Sequence, residues 1–138
     1  MARPSQRVDL ALLRSGRALY PSSGCAGLSV RQLADHAEVQ AGMFHYHFPS
    51  KDALIAAYLQ RRFVQPRPSD KPPAEQILAT FDSLERRFSA KDFRGCPFVN
   101  AVAELGAEDK SVRKIAVAFK ESRRLWFRRK VWRRPRRW

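Results

Sequence analysis

Two short helices are all that the sequence allows between Ser29 and Pro49. Ser29 opens a capping box, in which its hydroxyl accepts a hydrogen bond from the Gln32 amide while the Gln32 side chain reaches back. A helix of seven residues is predicted from Val30, followed by a three-residue turn and a second short helix from about Gln40. Pro49 ends the second helix, because proline pushes the residue before it out of the α region.

The rest of the chain is also helical in pattern, so we predict an all-α fold. A first helix is predicted over residues 5–20, ended by a break at 21–24, and a longer helix runs from Ser50 to about residue 63. Four prolines within residues 65–73 exclude a helix there and mark the best domain boundary. Apolar residues at helical spacing predict three more helices, around residues 77–88, 97–105 and 112–126, the last of which Pro135 must stop.

Basic charge is concentrated at the C-terminal end of the chain. The formal net charge is +14, and residues 110–138 hold 13 Lys and Arg against a single acid, Glu121. The other residues hold 14 basic and 12 acidic side chains, so the body of the chain is nearly neutral. Such a basic segment favours a polyanionic partner, and a non-specific binder of nucleic acid or of an anionic surface is therefore one alternative function.

Several protein classes are disfavoured. The chain has no apolar segment after Met1 typical of a secretory signal and no run near the ~18 apolar residues that span a membrane. Cys25 and Cys96 are too few for a disulfide framework, so we expect ordinary buried or half-buried thiols in a cytoplasmic protein. His45 and His47 point in different directions on a helix, and we expect neither a metal site nor a cofactor. No nucleophile with its base and no paired-carboxylate site is recognisable, which disfavours an enzyme.

Two short helices joined by a tight turn and braced by an earlier helix form a helix-turn-helix motif. In this motif the second helix enters the major groove of DNA. The apolar positions expected to hold the motif together are Leu33, Ala34, Val39, Phe44 and Phe48. Gly42 lets the second helix approach a phosphate backbone or another helix closely.

A set of residues in this region matches one family pattern. The matching residues are Ser29-Val30-Arg31, Leu33-Ala34, Ala37, Val39, Gly42, Tyr46-His47-Phe48 and Ser50-Lys51. The sequence resembles the tetracycline-repressor-like (TetR) family of bacterial transcription regulators. Where that family usually has Gly, a small polar residue, Thr and Tyr, this chain has Glu38, Gln40, Met43 and His45. Glu38 is expected to strain a turn that prefers Gly and to add an acid near DNA.

The resemblance implies a three-helix DNA-binding domain over residues 5–64 and a set of DNA contacts. The implied contacts are to phosphates by Ser29, Arg31 and Lys51, to base edges by Gln40, Ala41, Gly42 and Met43, and to phosphate or groove wall by His45, Tyr46 and His47. Residue chemistry agrees, because Gln bonds adenine bidentately and Met43 suits a thymine methyl. Tyr46 fits equally well a place at the edge of the core.

The resemblance also implies a partial helical ligand-binding and dimerisation domain over residues 74–127. Gly95-Cys96-Pro97-Phe98 resembles the opening of such a domain in some branches of the family. Candidate residues for lining a pocket are Phe81, Leu84, Phe98, Val102, Phe119 and Trp126, although their periodicity favours plain helical core. The implied function is a cytoplasmic repressor that binds a palindromic operator in double-stranded DNA as a homodimer and is released by an unidentified small ligand.

The C-terminal segment, residues 128–138, is rich in Arg and Trp and fits no amphipathic dimer helix. Family members usually continue for about two more helices, so the chain is short for its resemblance. One interpretation is a tail that binds phosphates with help from Trp132 and Trp138. The other, which we favour, is a shifted reading frame after a truncated gene, which would leave the effector and dimer region incomplete, operator binding weak or lost, and the regulator non-functional.

Overall fold

The computed structural model describes residues 4–64 and 67–132, which form seven α-helices and no strand. The helices are α1 (Pro4–Ser23), α2 (Val30–His36), α3 (Ala41–His47), α4 (Lys51–Arg62), α5 (Pro73–Phe88), α6 (Pro97–Leu105) and α7 (Lys110–Trp132). The predicted all-α fold is confirmed. Residues 65–66, within the predicted linker, and 133–138, the end of the predicted tail with Pro135 and Trp138, lie outside the described residues.

Local capping chemistry sets the ends of the helices around the motif. The Ser29 hydroxyl accepts from the Gln32 amide at 3.0 Å, and the Gln32 side chain accepts from the Ser29 amide at 2.8 Å, so the predicted capping box is confirmed. The Ser50 hydroxyl caps α4 by accepting from the Ala53 amide at 3.1 Å. These bonds satisfy amide groups that a helix leaves unpaired at its N-terminus.

The first helix is longer than the sequence predicted. The break expected at residues 21–24 falls after Ser23, and Pro21 lies inside the last turn of α1. A proline has no amide donor for the carbonyl four residues before it, here Arg17, and crowds that carbonyl, so Pro21 weakens the last turn without ending the helix there. The helix then ends at Gly24, whose φ of 68° only glycine adopts without strain.

Helix α4 joins the two halves of the molecule. It packs against α1 on one side and against α6 and α7 on the other. Leu54, Ile55 and Leu59 of α4 are fully buried, and they belong to one apolar cluster with Leu12 of α1 and Val112 of α7. Side chains on both sides of the proline-rich linker therefore share a single core.

Helices α5 and α7 lie at the other end of the structure. Helix α5 packs on α7 and has no buried residue, although its sequence is clearly amphipathic. Its apolar side chains Leu78, Phe81 and Phe88 are more than half exposed. Helix α7 continues to Trp132, five residues into the segment where the helical pattern of the sequence fails.

Candidate nucleic-acid interface

The turn between α2 and α3 is tight and fully bonded through its backbone. The Ala37 amide donates to the Leu33 carbonyl at 3.0 Å, and the Val39 amide donates to the Ala34 carbonyl at 3.0 Å. Between them Glu38 has a φ of 57°, in the left-handed region that an L side chain adopts at a cost. The strain expected at Glu38 is therefore present in the structure.

Helix α3 packs against the core on one face and is exposed to solvent on the opposite face. Phe44 is fully buried beneath it, and Phe48 packs against the same cluster, as predicted. On the opposite side Met43 is 38% exposed and Tyr46 is 81% exposed. Such exposure excludes the interpretation of Tyr46 as a cover for the core edge. The other exposed predicted residues of this surface are Gln40, Ala41, Gly42 and His45.

At the start of α3, the Gln40 side chain and the space around Gly42 are not used by the protein itself. The Gln40 side chain makes no capping bond to its own helix, so its amide is available to bond an adenine edge. A Cβ added at Gly42 would meet no atom within 4 Å. The packing of the protein itself therefore gives no reason for a glycine at this position.

The N-terminal end of α2 presents two of the predicted phosphate contacts. Ser29 and Arg31 are both exposed. The Ser29 hydroxyl oxygen serves the capping box as an acceptor, which leaves its proton to donate. An exposed guanidinium beside a hydroxyl donor at a helix start is a common arrangement for binding a phosphate.

The remaining two predicted contacts are engaged inside the protein. The His47 side chain is only 5% exposed, and its Nδ1 lies 2.5 Å from a carboxylate oxygen of Asp9 in α1. The Nε2 of His47 is buried and has no hydrogen-bond partner among the described residues. Lys51 Nζ donates to the carbonyls of Cys25 at 3.0 Å and Leu28 at 2.7 Å, which leaves one N–H for a phosphate. DNA contact by either residue stays a prediction.

The Asp9–His47 pair is a part of this site that sequence reasoning missed. It holds the end of α3 to α1, and so fixes the angle at which α3 is presented. The two residues are far apart in the chain and belong to different helices. No periodicity or motif in a single sequence indicates such a pair.

A cavity of about 710 Å³ lies between α5, α6 and α7, close to the predicted pocket. Four of the six predicted residues are on its wall, namely Leu84, Phe98, Phe119 and Trp126. The rings of Phe98 and Phe119 stack, with 3.9 Å between the ring centroids and an angle of 4° between the ring planes. Phe81 and Val102 do not line it, and the wall also includes Phe88, Phe127, Lys120 and Arg123.

The two cysteines are free thiols, with Cys25 buried and Cys96 half-buried, as predicted. Burial, followed by a hydrogen bond to Asp52, raises the pKa of the Cys25 thiol to about 11. Cys25 Sγ lies 3.2 Å from the Asp52 carboxylate. Within residues 4–64 and 67–132 no group of three His, Cys, Asp or Glu side chains is placed to hold a metal ion, and no helix is long and apolar enough to cross a membrane.

Comparison with known proteins identifies similar sequences and structures. Residues 12–58 match the family model described as bacterial regulatory proteins, tetR family. A putative tetR-type transcriptional regulator, sav143 of Streptomyces avermitilis MA-4680, is 29% identical with a TM-score of 0.77, over 96% of this chain and 73% of that one. No curated protein sequence matches.

A second solved structure shares the fold. E. coli NemR in its reduced form is 24% identical with a TM-score of 0.69, over 83% of this chain. The match spans 64% of the length of NemR. The arrangement of α1 to α7 is therefore a fold shared with both of these solved structures.

Proposed function

Because residues 12–58 match the model of the tetR family of bacterial regulatory proteins, we propose that the protein is a transcriptional repressor that binds an operator in double-stranded DNA. The observation that carries this proposal is the outer face of α3. It presents Gln40, Met43 and Tyr46 to solvent above a fully buried Phe44. A rigidly anchored short helix with unused polar and apolar side chains suits insertion into a major groove.

We assign separate tasks to the two ends of this surface. Gln40 bonds an adenine edge and Met43 contacts a thymine methyl, which provides sequence selectivity. Ser29 and Arg31 bind phosphates and so fix the register of α3 on the duplex. Tyr46 and His45 contact the phosphate backbone or the groove wall beside α3. The neighbouring Ala41 and Gly42 leave room for the DNA backbone.

We further propose that the repressor acts as a homodimer on a palindromic operator. One module contacts too few base pairs for a specific site, whereas two modules reach half-sites one helical turn, about 34 Å, apart. Self-association is supported by large apolar side chains that the fold leaves open on α5 and α7, notably Leu78 and Val117, which are 63% and 62% exposed. Patches of this kind usually mark an interaction surface.

The proposal includes release of the operator by a small ligand. The cavity between α5, α6 and α7 has a volume of about 710 Å³, within the range of drug-sized ligand sites. Its wall is rich in aromatic rings, with Phe119 and Trp126 among them. We therefore expect an aromatic or largely apolar effector. Quenching of Trp126 fluorescence by the effector would report binding.

The DNA-binding proposal is tested by selecting bound duplexes from a fragmented genomic library with the full chain. Enrichment of one inverted-repeat sequence that survives excess random DNA is the expected result. Gln40→Ala and Tyr46→Ala should each weaken binding to that sequence by roughly tenfold or more, since a good base contact is worth about 1–3 kcal/mol. Gln60→Ala is the matched control, because Gln60 is an exposed glutamine on α4.

The alternative is non-specific binding through the basic C-terminal segment, which includes exposed Arg128 and Arg129 at the end of α7. In that case no sequence is enriched, and binding is lost in Arg128→Gln/Arg129→Gln but not in Gln40→Ala. Steep weakening by salt accompanies both mechanisms, because both release counterions, so salt alone does not separate them. Enrichment without any effect of Gln40 or Tyr46 would contradict the role of α3.

A further inference from the structure

A second cavity lies on the side of the molecule where α1 and α4 meet the segment that joins α5 to α6. Its volume is about 580 Å³. It adjoins the aromatic cavity between α5, α6 and α7, and the two share Arg62, Arg87, Phe93 and Pro97 on their walls. Its lining includes four arginines, Arg17, Arg62, Arg87 and Arg94, against two acids, Asp92 and Glu104.

The protein neutralises the positive charge of this cavity only in part, because four arginines face two acids. In the part of the chain that the structure describes, none of the four guanidinium groups lies within ion-pair distance of a carboxylate. Glu104 is occupied otherwise, because its carboxylate accepts from the Cys25 amide at 2.8 Å. The Arg62 guanidinium lies 5.9 Å from the centre of the Tyr58 ring, which leaves its N–H donors unused by that contact.

The cavity also has a buried donor. Tyr20 is 98% buried, since only 2% of it is exposed, and its hydroxyl lies close to the Glu104 carboxylate without making a hydrogen bond of normal geometry among the described residues. Burial, followed by the nearby charge of Glu104, raises the pKa of Tyr20 above its ordinary value. The phenol therefore stays protonated at neutral pH. A buried polar group without a partner is costly, and a bound acceptor would remove that cost.

The segment that carries Arg94 is held in place by a hydrogen bond to α6. The Asn100 side chain donates to the Arg94 carbonyl at 2.7 Å and so ties the segment before α6 to the helix. Gly95 beside it has a φ of 88°, and a Cβ there would lie 3.2 Å from the Asn100 amide. The chain thus takes a conformation suited to glycine where it brings Arg94 to the cavity.

We propose that this cavity binds a small molecule carrying a phosphate or carboxylate group. Apart from the two carboxylates, the polar groups that the argument uses here are donors, namely the guanidinium groups and the Tyr20 hydroxyl, and an oxyanion is an acceptor that satisfies several of them together. Tyr58 and Phe93 on the same wall accommodate an attached ring or short carbon skeleton. None of the proposed DNA-contact residues lines the site, and Arg17, Tyr20 and Arg94 distinguish it from the adjoining aromatic cavity.

The experiment is calorimetric titration of the full chain, without DNA, with three probes: inorganic pyrophosphate, benzoate and neutral benzyl alcohol. Saturable binding of at least one anion, with benzyl alcohol weaker than benzoate, is the expected result. Pyrophosphate alone would assign a phosphoryl ligand, and benzoate alone a carboxylate ligand. Absence of saturable binding by both anions, or equal binding of benzyl alcohol and benzoate, would overturn the proposal.

Matched variants locate the site. Arg17→Gln/Arg94→Gln removes two exposed guanidinium groups from the cavity and should weaken the anion by about tenfold or more, because a hydrogen bond to a charged group contributes about 1.5–3 kcal/mol. Arg14→Gln/Arg86→Gln removes two exposed arginines from outside the cavity and should leave binding unchanged. Equal losses in the two pairs would mean general charge attraction and would refute the site.

Tyr20→Phe keeps the fold testable, because the hydroxyl that it removes has no partner to lose. We expect the variant to unfold at the same denaturant concentration as the original chain or a higher one, and to bind the anion about tenfold more weakly. Unchanged anion affinity in this variant would refute the assignment of the Tyr20 hydroxyl as a donor to the ligand.

Discussion

The most direct test of the motif is replacement of Glu38, which has a φ of 57° in the turn between α2 and α3. A side chain in the left-handed region costs about 1–2 kcal/mol, and glycine avoids this cost while losing about 0.5–1 kcal/mol more backbone entropy on folding. Glu38→Gly should therefore stabilise the protein by about 0.5–1 kcal/mol. For a chain of this size the midpoint of thermal unfolding should rise by about 2–4 °C.

The assay is denaturant unfolding followed by circular dichroism at 222 nm. Ser89→Gly is the control. Ser89 is exposed, follows α5 and has a φ of −80°, so it has no backbone strain for glycine to remove, and the substitution should be neutral or destabilising. Glu38→Gln keeps the backbone conformation but removes the charge, so its stability should be unchanged. Failure of Glu38→Gly to exceed the stability of the original chain would refute strain at this turn.

The same two variants separate charge from strain in DNA binding. Glu38 is exposed two residues before Gln40, so its carboxylate lies near the phosphates of a bound duplex in the proposed complex. Both Glu38→Gln and Glu38→Gly should then bind the selected operator more tightly, and the gain should shrink with added salt. If only Glu38→Gly gains affinity, the turn conformation rather than the charge limits binding.

Three further predictions follow from particular contacts. Gly42→Ala should fold at least as stably as the original chain, because nothing lies within 4 Å of the added Cβ. The same variant should bind the operator more weakly in an electrophoretic mobility assay. Gly16→Ala on α1 is the control, because its added Cβ meets only Leu54, and it should leave DNA affinity unchanged. Lys51→Met should lower the free energy of unfolding by about 1–3 kcal/mol, because two loop carbonyls lose their donor, and no loss would contradict the role of Lys51 as a tie. Folding raises the pKa of the Cys25 thiol from its ordinary value near 9 to about 11. The protonated thiol therefore contributes its full stabilisation below pH 9, and this stabilisation is lost as the pH rises towards 11. Unfolding measured at pH 8 and at pH 10.5 should show less pH dependence in Cys25→Ala than in Cys96→Ala, and identical dependence would contradict this assignment.

What the sequence predicts well in this protein is governed by neighbouring residues. The capping box of α2 and the cap at Ser50 depend on contacts within three residues, and both are present in the structure. The burial of Phe44 and Phe48 follows from the spacing of apolar residues along α3. These features are local, so a single sequence contains all the information that determines them.

What the sequence does not predict depends on packing between distant segments. The pairing of His47 with Asp9 joins α3 to α1, and no local pattern indicates it. The amphipathic pattern of α5 predicts an apolar face but not whether anything covers it, and Phe81 is 57% exposed. Pro21 indicates a helix end, whereas the final position of that end depends on Gly24 and the packing beyond it.

The shared core has a consequence for how the molecule responds to damage. The proline-rich linker is exposed where it is described, so a protease could cut the chain there. The cut would not release two halves, because buried side chains of α4 remain packed against α6 and α7. Phe98 of α6 and Val112 of α7 belong to the same buried cluster as Leu54 of α4. The two fragments should therefore copurify and melt in one cooperative transition, so that loss of the C-terminal fragment also removes part of the packing that supports α1 to α4.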